Sequence, residues 1–256
     1  MKIFGLLVLF LFGAAMGSFV CCQVRRFRLG EKEGKKLGKR SVCLKCVYQL
    51  KWYDNVPIVS WLMLKGKCRK CHGEIGKMEI MAEVLTGVAF LMVGAEILDG
   101  MEVSNVFWIF RAVALMILTT TLMFLAFYDA KFSELPVFGL WLAIGMGAVV
   151  FGMDWAMGGN VVDGLIGVAI FAGLYFGLYK ISGEKWVGGG DWMLCLALAL
   201  ALDGWWLCLV TICLANTLGV VVMLPQKKKK VAFGPFLVVA WVVVMCFRGS
   251  LMALGV

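Results

Sequence analysis

Two aspartates and four cysteines are the residues whose types and spacing could do chemistry. The stretch VGGGDWMLCLALALAL, residues 187–202, sets Asp191 between three glycines and an apolar run. A charged side chain at membrane depth costs about 2.5–3.5 kcal/mol on insertion scales, so it marks function or pairs with another polar group. A partner stands in FYDAKFSELP, residues 127–136, where Asp129 closes another apolar run. Two carboxylates in one low-dielectric site cannot both ionise easily, so one keeps a proton while the other stays charged. Such a pair is an acid and a base together. The ionised member can take a proton from water as it attacks a peptide carbonyl, and the protonated member can donate to the oxyanion. Gly188, Gly189 and Gly190 would let an extended substrate backbone come close to Asp191, where side chains would block it. The bland alternative is two unrelated helix-end aspartates paired with nearby lysines.

The cysteines form two populations. CLKC (Cys43, Cys46) and CRKC (Cys68, Cys71) are Cys-x-x-Cys pairs with 21 residues between them. Two such pairs can close a tetrahedral thiolate site, and in a reducing compartment zinc outranks disulfides. Redox thiols, or a loop held by packing alone, are the other readings. His72 follows Cys71 and reads as a solvated loop residue, because four thiolates already fill a zinc site. Cys21, Cys22, Cys195, Cys208, Cys213 and Cys246 lie within apolar segments, where a thiol packs as a small hydrophobe.

The elements that must position these groups follow from composition. With 62% hydrophobic residues, 16% charged residues and a mean hydropathy of +0.92, the 256-residue chain is no ordinary soluble domain. It reads as an all-α polytopic membrane protein. A span needs about 20 residues, and apolar segments fall at about 3–24, 80–98, 106–127, 136–153, 161–179, 190–202, 205–224 and 235–254. About eight transmembrane helices are therefore expected, the sixth short and with a broken or re-entrant entry. The domain expectation is a first helix over 1–24, a basic zinc-binding loop over 25–79, and a seven-helix core over 80–256.

Charge sets the orientation. Residues 25–77 hold fifteen Lys/Arg against four Asp/Glu. Lys131, Lys180 with Lys185, and Lys227 to Lys230 follow the third, fifth and seventh spans. The loops on the other side carry Asp99 and Glu102, Asp154, and Asp203, with no Lys or Arg. The positive-inside rule then puts the N-terminus outside and both Asp129 and Asp191 at the cytoplasmic face. Asp54, Asp99, Asp154 and Asp203 read as solvated loop residues, and Asp163 lies just inside the fifth span. A cleaved signal peptide is the alternative for the first segment, since GAAMGS has the small residues of a cleavage site. The basic residues serve orientation beside the lipid bilayer, and no nucleic-acid partner is expected.

Longer motifs bring a resemblance. GSFVCCQVRRF (17–27), KWYDNVPIVSWLMLKGKCRKC (51–71), MAEVLTG (81–87), the Asp129 to Pro136 segment, GGGD and VAFGPFL (231–237) run in order along the chain. Together they resemble the type IV prepilin leader peptidases, intramembrane aspartic proteases of the Gly-x-Gly-Asp type. The resemblance implies Asp129 and Asp191 as the catalytic pair and Cys43, Cys46, Cys68 and Cys71 as zinc ligands. It also implies prepilins or pseudopilins as substrates, cleaved at the cytoplasmic face of the bacterial inner membrane. Members with the long cysteine-bearing loop commonly also N-methylate the new terminal residue with S-adenosylmethionine, which rests here on the resemblance alone. The chain departs from the family pattern at Gln23, Leu44 and Val137, none of them a catalytic or metal position. A different class, an ion-coupled transporter or channel with a regulatory zinc loop, would use the same aspartates as a relay.

Overall fold

The computed structural model describes residues 2–33, 41–43, 45–100, 106–184, 187–226 and 232–254. Leu44, Glu102, Lys185 and Lys227 to Lys230 lie outside the described residues. The chain divides into two compact units, Met1–Leu91 and Met92–Val256. Among the described residues the only strand pairing is two isolated antiparallel bridges.

In the first unit, α1 (Lys2–Glu33) runs beyond the expected residue 24, since its basic C-terminal part contains no proline. A short 3-10 helix (Trp52–Asn55) and α2 (Val59–Met63) follow the cysteine loop, and α3 begins at Lys77. The small residues of GAAMGS have a packing role here. A Cβ on Gly13 would collide with the Phe90 side chain, and one on Gly17 would fall on the Ala82 carbonyl. This Gly-x-x-x-Gly face lets the two helix backbones approach closely, as membrane helices without a hydrophobic drive between them require.

The second unit holds the rest of α3 (Lys77–Asp99), then α4 (Val106–Phe132), α5 (Val137–Ala156), α6 (Val161–Ser182), α7 (Gly189–Leu200), α8 (Trp205–Gln226), α9 (Gly234–Cys246) and α10 (Arg248–Leu254). Leu115, Leu118, Leu122, Leu198 and Trp241 are fully buried, while Phe138, Trp141, Ile166 and Val221 face outward. An apolar exterior of this kind suits lipid. Within α4, the hydroxyls of Thr119, Thr120 and Thr121 donate to the carbonyls of Leu115, Met116 and Ile117 at 2.7, 2.9 and 2.9 Å. No polar atom of that run is left facing hydrocarbon unpaired.

Each expected apolar segment lies on a helix, but not all are full spans. Six described helices are long and apolar enough to cross a bilayer, and α9 with α10, bent by 79°, could make a seventh. At 12 residues α7 is about 18 Å long, short of the roughly 30 Å hydrocarbon core. Six or seven spans therefore stand against the expected eight or so, and the sixth expected segment is the short helix that its composition suggested.

Candidate active site and metal centre

Asp129 sits in the last turn of α4 and is 6% exposed. Its Oδ2 accepts the backbone N–H of Gly234 at 2.9 Å, the first residue of α9. Pro235 follows and fits the first turn of a helix, where its missing N–H costs nothing. Asp191 lies in the first turn of α7, half-buried, and its Oδ2 accepts the Gly188 N–H at 3.1 Å. An acid at that position also meets the positive end of the helix dipole. The two aspartates are near enough for the charge of Asp191 to act on Asp129.

A packing contact joins the segment after Asp129 to the one before Asp191. Ser133 donates its N–H to the Asp129 carbonyl at 2.7 Å, and its positive φ of 53° turns the chain out of α4. Leu135, two residues on, packs against Gly190: a Cβ there would lie 2.9 Å from the Leu135 side chain. Gly190 thus has a packing reason to be glycine. A Cβ on Gly189 would stand 3.5 Å from the Tyr179 ring and one on Gly188 3.3 Å from Asp191 Oδ2, both ordinary or slightly tight contacts.

Aromatic residues wall this end of the unit. Tyr175 of α6 stacks on Phe233 at 6.0 Å between ring centroids, and its hydroxyl accepts Asn216 Nδ2 at 3.2 Å. Phe176 meets Trp192, the residue after Asp191, edge to face at 5.2 Å. Tyr175 and Asn216 carry no local signal in the sequence, and Gly234 appears there only inside the motif VAFGPFL. Only the glycine-proline pair in VAFGPFL signals a helix start there.

The cysteine loop is built from two copies of one turn. In each, the first cysteine donates its N–H five residues on, Cys43 to Tyr48 and Cys68 to Gly73, both at 2.8 Å. The N–H groups of Val47 and His72 return to the carbonyls of Cys43 and Cys68 at 2.9 Å. Val47 and His72 have φ values of 56° and 53°, and a bridge flanks each turn, Val42 with Gln49 and Lys67 with Glu74. All four sulfurs lie within 4.8 Å of one another, with Cys43 to Cys71 at 3.9 Å and Cys46 to Cys68 at 4.0 Å. A tetrahedron with metal–sulfur bonds of about 2.3 Å has edges of about 3.8 Å, so the set fits a four-thiolate metal ion. His72 is exposed and outside the cluster.

The thiols differ electrically. Burial pushes Cys43 up, but the backbone N–H groups of Cys46 and Lys45 and the thiols of Cys68 and Cys46 together draw it down to about 6. At Cys46 a backbone bond at Tyr48 pulls down, while burial and the other three thiols push up, leaving it at about 11. The first thiolate to form opposes a second, and a bound cation would remove that opposition.

Several acids are not the solvated loop residues their positions suggest. Asp54 is buried in the 3-10 helix, where it accepts the Lys51 N–H at 3.1 Å and Arg69 Nε at 2.8 Å. Asp154 is buried in α5 and takes Arg111 Nε at 2.5 Å. Arg111 also reaches Glu96 at 3.1 and 3.3 Å, and Arg248 joins Glu96 to Asp203 at 2.8 Å each. Reading charge from loops alone passed over Arg111 and Arg248, which lie within helices. Asp129 and Asp191 are therefore not the only acids gathered in this unit: a second cluster forms around Arg111, 18 residues or about 27 Å along α4 from Asp129. Asp99 is exposed, as expected. Of the cysteines in apolar segments, Cys21, Cys195 and Cys208 are buried, while Cys213 is exposed on α8.

Comparison with known proteins fits this arrangement. Residues 11–97 match the family model Bacterial Peptidase A24 N-terminal domain. A prepilin leader peptidase/N-methyltransferase of Dichelobacter nodosus is 30% identical over 207 residues, covering 78% of this chain and 68% of that protein. A protein of the same name from Neisseria gonorrhoeae is 33% identical over 217 residues, 79% of this chain and 70% of the relative. One from Pseudomonas aeruginosa is 28% identical over 217 residues, 80% and 71%. No solved structure matches the chain. With 30% and 33% identity over aligned stretches that cover more than two thirds of two such relatives, the chain belongs to the prepilin leader peptidase/N-methyltransferase family.

Proposed function

We propose that the protein is a membrane-embedded aspartic endopeptidase that removes the leader of type IV prepilins or pseudopilins, with Asp129 and Asp191 as its acid–base pair. The observation that carries this reading is the nearness of the two carboxylates, from α4 and α7, in a chain of this family. The ionised carboxylate takes a proton from water as the water oxygen bonds to the scissile carbonyl carbon. The protonated one gives its proton to the oxygen that gains charge. When the carbon–nitrogen bond breaks, the leaving amine takes a proton back from the pair. Gly234 holds one oxygen of Asp129 and Gly188 one oxygen of Asp191, so each carboxylate is oriented before substrate arrives. Gly188 and Gly189 give the substrate backbone its approach.

The basic residues beside α1, α4 and α6 support a cytoplasmic position for the pair and an outside N-terminus in a bacterial inner membrane. The four-cysteine cluster is a structural zinc site. Zinc suits four thiolates at tetrahedral spacing, and closing them staples a loop whose own core is small. The second activity is N-methylation of the newly exposed terminal residue, for which S-adenosylmethionine supplies an electrophilic methyl group on sulfur. Incubating the purified protein with a prepilin, with and without S-adenosylmethionine, tests both activities by the mass of the product. Shortening followed by a gain of one methyl is expected.

A further inference from the structure

We infer that a cavity in the first unit, between α1 and α3 and separate from the aspartate pair, binds the amino-acid end of the methyl donor. This rests on the methyltransferase half of the proposed function. The cavity has a volume of about 130 Å³, and its polar lining includes Ser18, Arg25 and Arg26 from α1, Ser41 and Asn55 from the loop, and Glu79 and Glu83 from α3. All of these fall within residues 11–97, the matched N-terminal domain.

Three observations point to a small ligand carrying both charges. Glu79 is ion-paired to Arg25 through Oε1, but its Oε2 is buried with no hydrogen-bond partner among the described residues. A buried acceptor left unpaired costs about 1–3 kcal/mol, more when charged, and a bound ammonium would relieve that. Glu83 is fixed rather than mobile: its Oε2 accepts the Ile58 N–H at 2.7 Å, and the Ser18 hydroxyl also bonds to it. Ile58 holds φ 63° and ψ −52°, a conformation costly for a β-branched residue and retained only where its surroundings impose it. The chain thus spends strain on fixing a carboxylate in this wall. Arg25, although paired with Glu79, and Arg26 both line the cavity, and a guanidinium has five N–H donors, enough to hold a ligand carboxylate as well.

Size and lining choose the end of the donor. The volume is well below the roughly 300–1,000 Å³ of sites that enclose a drug-sized molecule, and among the described residues no aromatic ring lines it to stack on adenine. An ammonium, a carboxylate and a sulfonium match two acids and two arginines; the nucleoside extends out of the cavity.

The test uses the purified full-length chain and three probes: S-adenosylmethionine, S-methylmethionine, which has the sulfonium amino acid without the nucleoside, and adenosine. Glu79→Gln keeps the shape of the side chain while removing its charge, and Cys22→Phe fills the cavity from another wall. Both variants are compared with the parent by thermal melting and zinc content, which report folding independently of binding. The expected result is at least tenfold weaker binding of S-adenosylmethionine and of S-methylmethionine in both, with adenosine unchanged. Undiminished S-adenosylmethionine binding in both folded variants would overturn the cavity alone. A parent protein that neither binds S-adenosylmethionine nor methylates a cleaved prepilin would overturn the methyltransferase reading, and the cavity with it.

Discussion

Gly234 donates its backbone N–H to Asp129 across 105 residues of chain, at 2.9 Å. The same glycine leaves no room for a side chain, because a Cβ on it would lie 2.8 Å from Asp129 Oδ2 and 3.4 Å from its Cγ. The start of α9 therefore sets where one carboxylate of the pair can stand.

Gly234→Ala should displace Asp129 while leaving the acid itself intact. A misplacement of about 1 Å in a reacting group can cost about a hundredfold in rate. We expect prepilin cleavage to fall by about that factor, mainly in kcat, with insertion into the membrane unchanged. Single-turnover cleavage by the variant at saturating substrate measures it.

The cysteine cluster should lose its metal in two ways. Cys43→Ser or Cys71→Ser leaves three thiolates, which cannot close the tetrahedron, so zinc per protein should drop well below one and residues 41–77 should become protease-sensitive. Protons compete with zinc for sulfur, so acidification releases metal and raising pH retains it. Metal analysis after dialysis across a pH series checks the sign.

The cluster around Arg111 should be a stability element rather than part of the chemistry. Its side chain is 5% exposed and faces Glu96 and Asp154. Arg111→Met strands the buried Asp154 carboxylate and leaves Glu96 to Arg248 alone, and removing one partner of a buried pair costs about 3–5 kcal/mol. Adding Asp154→Leu to Arg111→Met should recover part of that loss. Thermal unfolding in detergent of the single and double variants measures the coupling.

Orientation makes a separate expectation. In a cysteine-depleted background, Lys131→Cys should be shielded from a membrane-impermeant thiol reagent in intact cells, and Met157→Cys should react. Labelling at 131 would put the Asp129 end of α4 on the outer face.

Much of this was legible in the sequence because the signals are local. Asp129 and Asp191 stand out as acids beside apolar runs, and the positive-inside rule assigns both to one side. Four cysteines in two pairs are visible by spacing alone. What escaped was nonlocal or purely geometric. The Gly234 N–H carries no side chain to notice, and the two cysteine turns share a hydrogen-bond pattern although SVCLKCVYQL and GKCRKCHGEI match at few positions. Asp154 was misjudged because its arginine partner is distant in sequence and hidden inside α4. Length, not hydropathy, separates α7 from a full span.

The central claim is that Asp129 and Asp191 act as one acid–base unit. Purified parent protein, Asp129→Asn, Asp191→Asn and the double variant should be incubated with the same prepilin, and the shortened product measured by mass spectrometry. Asparagine keeps the shape but cannot carry the proton, so each single variant should lose cleavage, and the double should be no worse than either. Cleavage at the parent rate by either single variant would contradict the pair.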